Sequence, residues 1–341
     1  MQPFIKASTL AGPIAESIII DSFKDIECKS VGSGKHRVWF DLQLSDHGLG
    51  LYDQQRNIVP ITTCFLMSES LQNLFNQFQQ LKFPSKKISA RLRVSPSGQH
   101  GLWLDMANEE IKELLTDKRF LTSLAPLFSV IEIGQKRKKL NLNVPNSQQS
   151  DQQFKLIDPE LQPWFKSKGE ILNSFVGSFT QPSWVSADFI TDIILDWSNS
   201  SRHVTEYGSG IGQYTIPLLK SKSYVTVHEN NPLAILALKS NANLFAEKLM
   251  INPAESASPS GFYGVESNLY LVNPPRSGLG IFTQKINQSQ VEKIIYISCS
   301  IESLTTDLKA LSENYFISDL KMIDQFPNSK HFEIAVLLQK K

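Results

Sequence analysis

Cysteine is scarce in this chain: Cys28, Cys64 and Cys299 are the only three in 341 residues. Three scattered thiols cannot build a disulfide framework or a cysteine-rich metal centre, and they fit a reducing, cytoplasmic setting. A dominant charge is missing as well. Lys and Arg number 34 against 33 Asp and Glu, for a formal net charge of +1. Any nucleic-acid partner must therefore be met by a local patch, not by a bulk basic field. No run of about 18 or more apolar residues occurs, so no membrane span is expected. The start, "MQPFIKASTLAGP", has no basic segment followed by an apolar core and is not expected to be a secretion signal. Repeats of fixed period are also absent. With 41% hydrophobic and 20% charged residues, what is present is a globular composition, long enough for two domains.

The two halves differ in pattern. Residues 36–45, "HRVWFDLQLS", alternate apolar and polar as a strand does, and 48–61 predicts two more strands around a polar turn at Asp53–Asn57. In 68–81 the apolar residues Leu71, Leu74, Phe75, Phe78 and Leu81 share one helical face. Residues 86–106 predict two strands joined by a turn at Pro96-Ser97-Gly98. The segment 135–153 is polar and is expected to be a linker or exposed loop. After about residue 170, helices alternate with short apolar strands at 202–206, 224–229, 268–273 and 291–297. That alternation predicts a doubly wound α/β sheet, whose ligands bind beyond the carboxyl ends of the strands. The expected organisation is an α+β domain over 1–165 and a Rossmann-like α/β domain over 166–341.

Three strand ends carry chemistry. The first is "TEYGSGIGQYTIPLL", with Gly208, Gly210 and Gly212 between a strand and a helix. Glycines there let backbone approach a ligand closely, and a following helix offers free N–H groups. The spacing from Glu206 through Tyr207 to Gly212 differs from the dinucleotide fingerprint and is similar to the first motif of S-adenosylmethionine-dependent methyltransferases. Glu229 ends the next strand, about 20 residues later, where a carboxylate can take ribose hydroxyls. The second strand end is "LVNPPRSGLG". Its prolines stiffen the backbone after Asn273, and Arg276 supplies a fixed cationic fork. Alone, Asn-Pro-Pro resembles methyltransferases of exocyclic amines. The third is "YISCSIESL", with Cys299 at a strand exit; a lone free cysteine is otherwise a small buried apolar residue.

Taken together, these segments resemble the RNA uracil-5-methyltransferase family. "SFTQPSW" resembles its Phe-x-Gln motif, with Gln181 at the glutamine. "TEYGSGIGQYTIPLL" resembles the cofactor loop, "LVNPPRSGLG" its Asp-Pro-Pro-Arg-x-Gly motif, and "YISCSIESLTTDL" its Ser-Cys-Asn-Pro segment. "DQFPNSKHFEIAVLL" resembles the Phe-Pro…His-x-Glu ending. The likeness covers about 170–341 well and the N-terminal half only loosely. It implies a class I methyltransferase fold that uses S-adenosylmethionine, held by Gln181, Glu206, Tyr207, Gly208, Gly210, Gly212, Glu229 and Asn273. It implies Cys299 as the nucleophile that adds to carbon 6 of a uracil, and Glu333 as the base that removes the proton from carbon 5. The base is expected to be flipped out of its stack. His331 reads as a structural neighbour of Glu333.

The sequence departs from the family at Asn273 (usually Asp), at Ser300 and Ile301 (usually Asn-Pro) and at Ser183 (usually Asn). Some members hold an iron–sulfur cluster on four cysteines. Only Cys64 lies in a comparable place here, so no cluster and no resident metal are expected. No separate RNA-binding β-barrel is expected ahead of the strand at 36. RNA, whether tRNA or rRNA, is expected to meet Arg276 and the N-terminal domain. The candidates there are Lys35, His36, Arg37, Lys86, Lys87, "KRKK" at 136–139, and Arg91 with Arg93, which share one face of a strand as a phosphate track would. Trp39 and Trp103 are candidates for base stacking. A monomer is expected. Two other readings stay open: an amino-methyltransferase using Asn273-Pro274-Pro275, and an RNA-binding relative without catalysis.

Overall fold

The structure is a computed structural model. It describes residues 27–341 apart from 33, 46–47, 54, 84–87, 107–110, 136–137, 144–154, 222, 254–266, 290, 328 and 330. In chain order the elements are β1 (Glu27–Ser30), β2 (Trp39–Ser45), β3 (Gly48–Tyr52), β4 (Ile58–Pro60), α1 (Glu69–Phe78), β5 (Ile88–Val94), β6 (His100–Asp105), α2 (Ile111–Thr116), α3 (Lys118–Leu124), β7 (Val130–Gln135) and β8 (Lys138–Asn143). Next come β9 (Lys155–Ile157), β10 (Gln162–Ser167), β11 (Glu170–Ser174), α4 (Trp184–Ser198), β12 (His203–Tyr207), α5 (Thr215–Lys220), β13 (Tyr224–Glu229) and α6 (Pro232–Asn241). The chain ends with β14 (Leu249–Pro253), β15 (Leu269–Val272), α7 (Phe282–Gln288), β16 (Lys293–Ser298), α8 (Ile301–Leu311), β17 (Tyr315–Asp324) and β18 (Glu333–Lys340).

These elements form two compact units. One runs from Gly34 to Trp184; the other is Val185–Lys341 joined by β1. The boundary at 165/166 read from the sequence thus moves to 184/185. The cause is the β10–β11 hairpin, whose Trp164 and the following Val176 bury against Val130 and Trp103 of the first unit.

The first unit is built on an eight-stranded sheet in the order β4-β3-β2-β5-β6-β7-β8-β9. Helix α1 starts where Ser68 caps it, its hydroxyl accepting the Leu71 N–H at 3.3 Å. Its apolar stripe, Leu71, Leu74, Phe75 and Phe78, is buried on the sheet with Phe40, Leu42, Leu92 and Leu104. The expected linker at 135–153 is partly strand: β8 pairs with β7 through Gln135↔Lys138 to Glu132↔Asn141. Polar side chains hid that strand, and residues 144–153 lie outside the described ones.

The second unit is the expected doubly wound sheet, in the order β1-β17-β18-β16-β15-β12-β13-β14. Strands β12 to β16 run parallel, and β18 returns antiparallel between β16 and β17. Strand order reverses at β12, which lies between β13 and β15. A crevice opens at such a switch point, beyond the carboxyl ends of the strands. The antiparallel return has a further consequence. It brings the start of β18 to the same end of the sheet as the exits of β15 and β16, so residues far apart in sequence gather there. Edge strand β1, parallel to β17, was not foreseen.

Candidate active site

The glycine turn after β12 takes backbone that other residues resist. Gly208, Gly210 and Gly212 have φ of 75°, 56° and 92°, in the left-handed region that costs a residue with Cβ about 1–2 kcal/mol. At Gly212 a Cβ would also sit 2.7 Å from Leu238 Cδ1, so the turn is pressed onto α6. At Gly210 a Cβ would meet nothing within 4 Å, so the loop faces open space there. Glu229 holds this turn from β13. Its Oε2 accepts the Gly210 N–H at 2.8 Å, and its Oε1 accepts Asn230 N–H and Asn231 N–H, each at 2.9 Å.

Beneath the turn, Glu206 is buried and its Oε2 accepts the Thr215 hydroxyl at 2.6 Å. Burial raises its pKa to about 7, with the Glu229 charge adding to the rise against the Thr215 hydrogen bond. Glu206 Oε1 and the Ser209 hydroxyl are buried with no hydrogen-bond partner among the described residues. Orphaned polar atoms beside an open glycine turn fit a polar ligand. The Tyr207 ring stacks on His228 at 4.7 Å and meets Tyr270 edge-on at 5.8 Å.

From the glycine turn the path leads to the Asn-Pro-Pro-Arg loop. A Cβ on Gly208 would lie 3.2 Å from Asn273 O, and Asn273 N–H donates to Tyr207 O at 3.4 Å. Three residues on, Arg276 is exposed. The loop turns back through a Gly278 N–H to Pro275 O bond of 2.9 Å. It is anchored on Asp307 of α8, which is buried and whose Oδ2 accepts Leu279 N–H and the Tyr296 hydroxyl, each at 2.6 Å. Gly278, with φ of 79°, passes so close that a Cβ would stand 2.5 Å from that same oxygen.

Cys299 and Glu333 meet here. β16 and β18 pair antiparallel as far as Ser298↔Ile334; one more step of that register sets Cys299 beside Glu333. The thiol is half-buried and lines a pocket with Arg276, Ser300, Ile301, Glu302, His331 and Phe332. Ser300 caps α8, its hydroxyl accepting Ser303 N–H at 3.4 Å and donating to Glu302 Oε2 at 2.9 Å. Burial pushes the Cys299 thiol up and the Glu333 charge pushes it further, while the Arg276 charge and hydrogen bond pull it down. Glu333 is only 6% exposed. Burial raises its pKa to about 8, against the Arg276 charge and a hydrogen bond from Gln325. The Gln325 amide donates to Glu333 Oε1 at 2.7 Å, and Ser186 of α4 donates to Gln325 Oε1 at 2.9 Å.

Sequence reasoning missed Gln325, Ser186 and Asp307: a glutamine after a strand, a serine in a helix and an aspartate in a helix carry no local signature. It also misplaced Arg91 and Arg93. In the first unit both point inward, not along a phosphate track. Arg93 is 0% exposed and donates to Phe175 O at 2.9 Å, Val176 O at 3.2 Å and the Thr180 hydroxyl at 2.5 Å. Arg91 donates to Ser178 O at 2.9 Å and pairs with Asp41 at 2.7 Å. Buried Glu132 accepts Val176 N–H at 2.6 Å and Gly177 N–H at 2.9 Å.

Together these groups clamp the loop that leads to buried Gln181 and hold Phe179 out, 68% exposed. Trp39 is buried, with Arg91 4.1 Å above its ring, and Trp103 packs on the Trp164 cluster. Lys35 is exposed, His36 is buried and Arg37 lies over the Phe40 ring at 4.7 Å. Lys86, Lys87, Lys136 and Arg137 lie outside the described residues, as do the side chains of Lys138 and Lys139. Among the described residues no cluster of three or more His, Cys, Asp or Glu gathers to hold a metal, and no helix is long and apolar enough to cross a membrane.

Residues 263–341 match the tRNA (Uracil-5-)-methyltransferase family. An uncharacterized RNA methyltransferase of Bdellovibrio bacteriovorus is 36% identical, over 93% of this chain and 84% of its own length. A tRNA/tmRNA (uracil-C(5))-methyltransferase of Idiomarina loihiensis is 32% identical, over 48% of this chain and 49% of its own length. The fold matches that of the Pyrococcus abyssi tRNA (uracil-54, C5)-methyltransferase, whose structure is a complex with S-adenosyl-L-homocysteine. The TM-score is 0.71 at 16% identity, covering 99% of this chain and 84% of that one. The chain therefore belongs to the RNA uracil-5-methyltransferase family.

Proposed function

We propose that this protein methylates carbon 5 of a uridine in RNA, with Cys299 as nucleophile and Glu333 as general base. The observation that carries the reading is a half-buried thiol and a guanidinium lining one pocket, with the buried Glu333 carboxyl, its pKa raised, close enough to act on the thiol. That pocket lies one loop away from an open glycine turn. Tyr207, the glycines, Glu206, Ser209, Glu229 and Asn273 are the residues that would hold S-adenosylmethionine. Bound there, the cofactor supplies an electrophilic methyl group.

The residues of the chain divide the remaining work. The Cys299 thiolate adds to carbon 6 of the uracil, forming an Sγ–C bond and making carbon 5 a nucleophile. Once carbon 5 carries the methyl group, Glu333 takes the proton from it. The Sγ–C bond then breaks, restoring the ring double bond and the thiolate. Charge on Glu333 disfavours charge on the Cys299 sulfur. Addition turns the thiolate into an uncharged thioether, so Glu333 acts as base with no anionic sulfur beside it. Arg276 favours both anions.

The relatives named for tRNA and tmRNA favour a tRNA substrate over rRNA. The first unit, with Phe65 at 52% and Phe179 at 68% exposure, suits a role in holding RNA by stacking. Purified protein incubated with a tRNA transcript and S-adenosylmethionine should yield 5-methyluridine by nucleoside mass spectrometry, and Cys299→Ala should yield none. Methylation that survives in Cys299→Ala, or a methylated exocyclic amine, would overturn this reading in favour of the Asn273-Pro274-Pro275 motif. RNA binding without any methyl transfer would overturn it in favour of a non-catalytic relative.

A further inference from the structure

We propose that Gln325 is a positioning residue for the Glu333 carboxyl, and that Ser186 fixes which end of the Gln325 amide meets it. The inference rests on the reading of Glu333 as general base. An amide has a donor end and an acceptor end. Here the Ser186 hydroxyl donates to Gln325 Oε1 at 2.9 Å, which leaves Nε2 to donate to Glu333 Oε1 at 2.7 Å. Ser186, Gln325 and Glu333 are all buried, so water does not stand in for either bond. The three come from different elements: α4, the turn after β17 and the first residue of β18. Glu333 Oε1 is thereby tied down.

A donor held against one oxygen favours the ionised form, and this opposes the effect of burial on Glu333. Among the described residues, the other titratable or charged groups facing Glu333 are Arg276 from the loop after β15 and Cys299 from the exit of β16. His331 and Glu302 line the adjoining pocket. None of them replaces a neutral donor locked in place from behind by a second side chain.

The test is the titration of Glu333 in full-length protein carrying carboxyl-13C glutamate, its resonance assigned by loss in Glu333→Gln. The pH–rate profile of methyl transfer is measured beside it. In Gln325→Leu the Glu333 titration should move up by about one pH unit, since a hydrogen bond to a charged group is lost. On the acid limb the rate should fall about tenfold and recover at higher pH. Ser186→Ala should shift both in the same direction by less, and Gln325→Asn, a shorter amide, should restore part of the wild-type value only if the side chain still reaches. An unmoved titration in both Gln325→Leu and Ser186→Ala would overturn the proposal, as would a rate loss equal at every pH. A shifted titration in a protein that transfers no methyl group would uphold the positioning role and instead refute the assignment of Glu333 as catalytic base.

Discussion

Replacing Glu333 with Gln should stabilise the protein while abolishing its activity. The carboxyl is raised from an ordinary 4.5 to about 8 in the fold, first by burial. Its neutral form is the one the fold favours, so the associated stability is complete below pH 4.5. It is lost as pH rises toward 8, by about 1.4 kcal/mol per pH unit. At pH 7 the loss is on the order of 3 kcal/mol. An amide at 333 never ionises, and it keeps an oxygen for the 2.7 Å bond from Gln325. Hydrogen exchange of the β16 and β18 amides reads the unit that contains Glu333 without requiring the whole chain to unfold in one step. The gain in protection of Glu333→Gln over wild type should be near zero at pH 4 and climb through pH 8. Any packing effect of the amide is the same at every pH, so the slope carries the test. A difference that does not change with pH would refute the reasoning.

Other perturbations follow from the same geometry. Arg276→Gln removes the cation that lowers the Cys299 thiol, so alkylation of Cys299 by iodoacetamide at pH 8 should slow and its pH midpoint should rise. Gly278→Ala places a Cβ against Asp307 at a left-handed position. It should cost roughly 2–4 kcal/mol in urea unfolding, combining backbone strain with loss of the bonds to Leu279 and Tyr296. Arg93→Met removes the buried donor to Phe175 O, Val176 O and the Thr180 hydroxyl, and should lower the stability of the first unit by about 3–5 kcal/mol in thermal unfolding.

The sequence made the alternation of strands and helices in the second unit legible, because each strand is a short apolar run closed by a turn. The Gly208 turn and the Asn273 loop were legible for the same reason, as punctuation at strand ends. The pairing of Cys299 with Glu333 was not: 34 residues separate them, and only the antiparallel return of β18 makes them neighbours. Resemblance to a family supplied that pair; periodicity could not. Arg91 and Arg93 show the limit from the other side. Alternation shows that they share a face of β5, but not that this face is covered by the loop at 175–180. Glu132 was unreadable for a similar reason, since a carboxylate in an apolar strand gives no hint of the two backbone N–H groups it will accept. Strand β1, four residues at a sheet edge, owes its conformation to β17 more than to its own side chains.

The most direct measurement of the central claim is covalent capture. Tritiated RNA containing 5-fluorouridine, incubated with the protein and S-adenosylmethionine, has no proton at carbon 5 for Glu333 to remove. A protein–RNA band that survives denaturation should form, with the label on the peptide containing Cys299. No such band in wild type that methylates normal RNA, or a band undiminished in Cys299→Ala, would contradict the account.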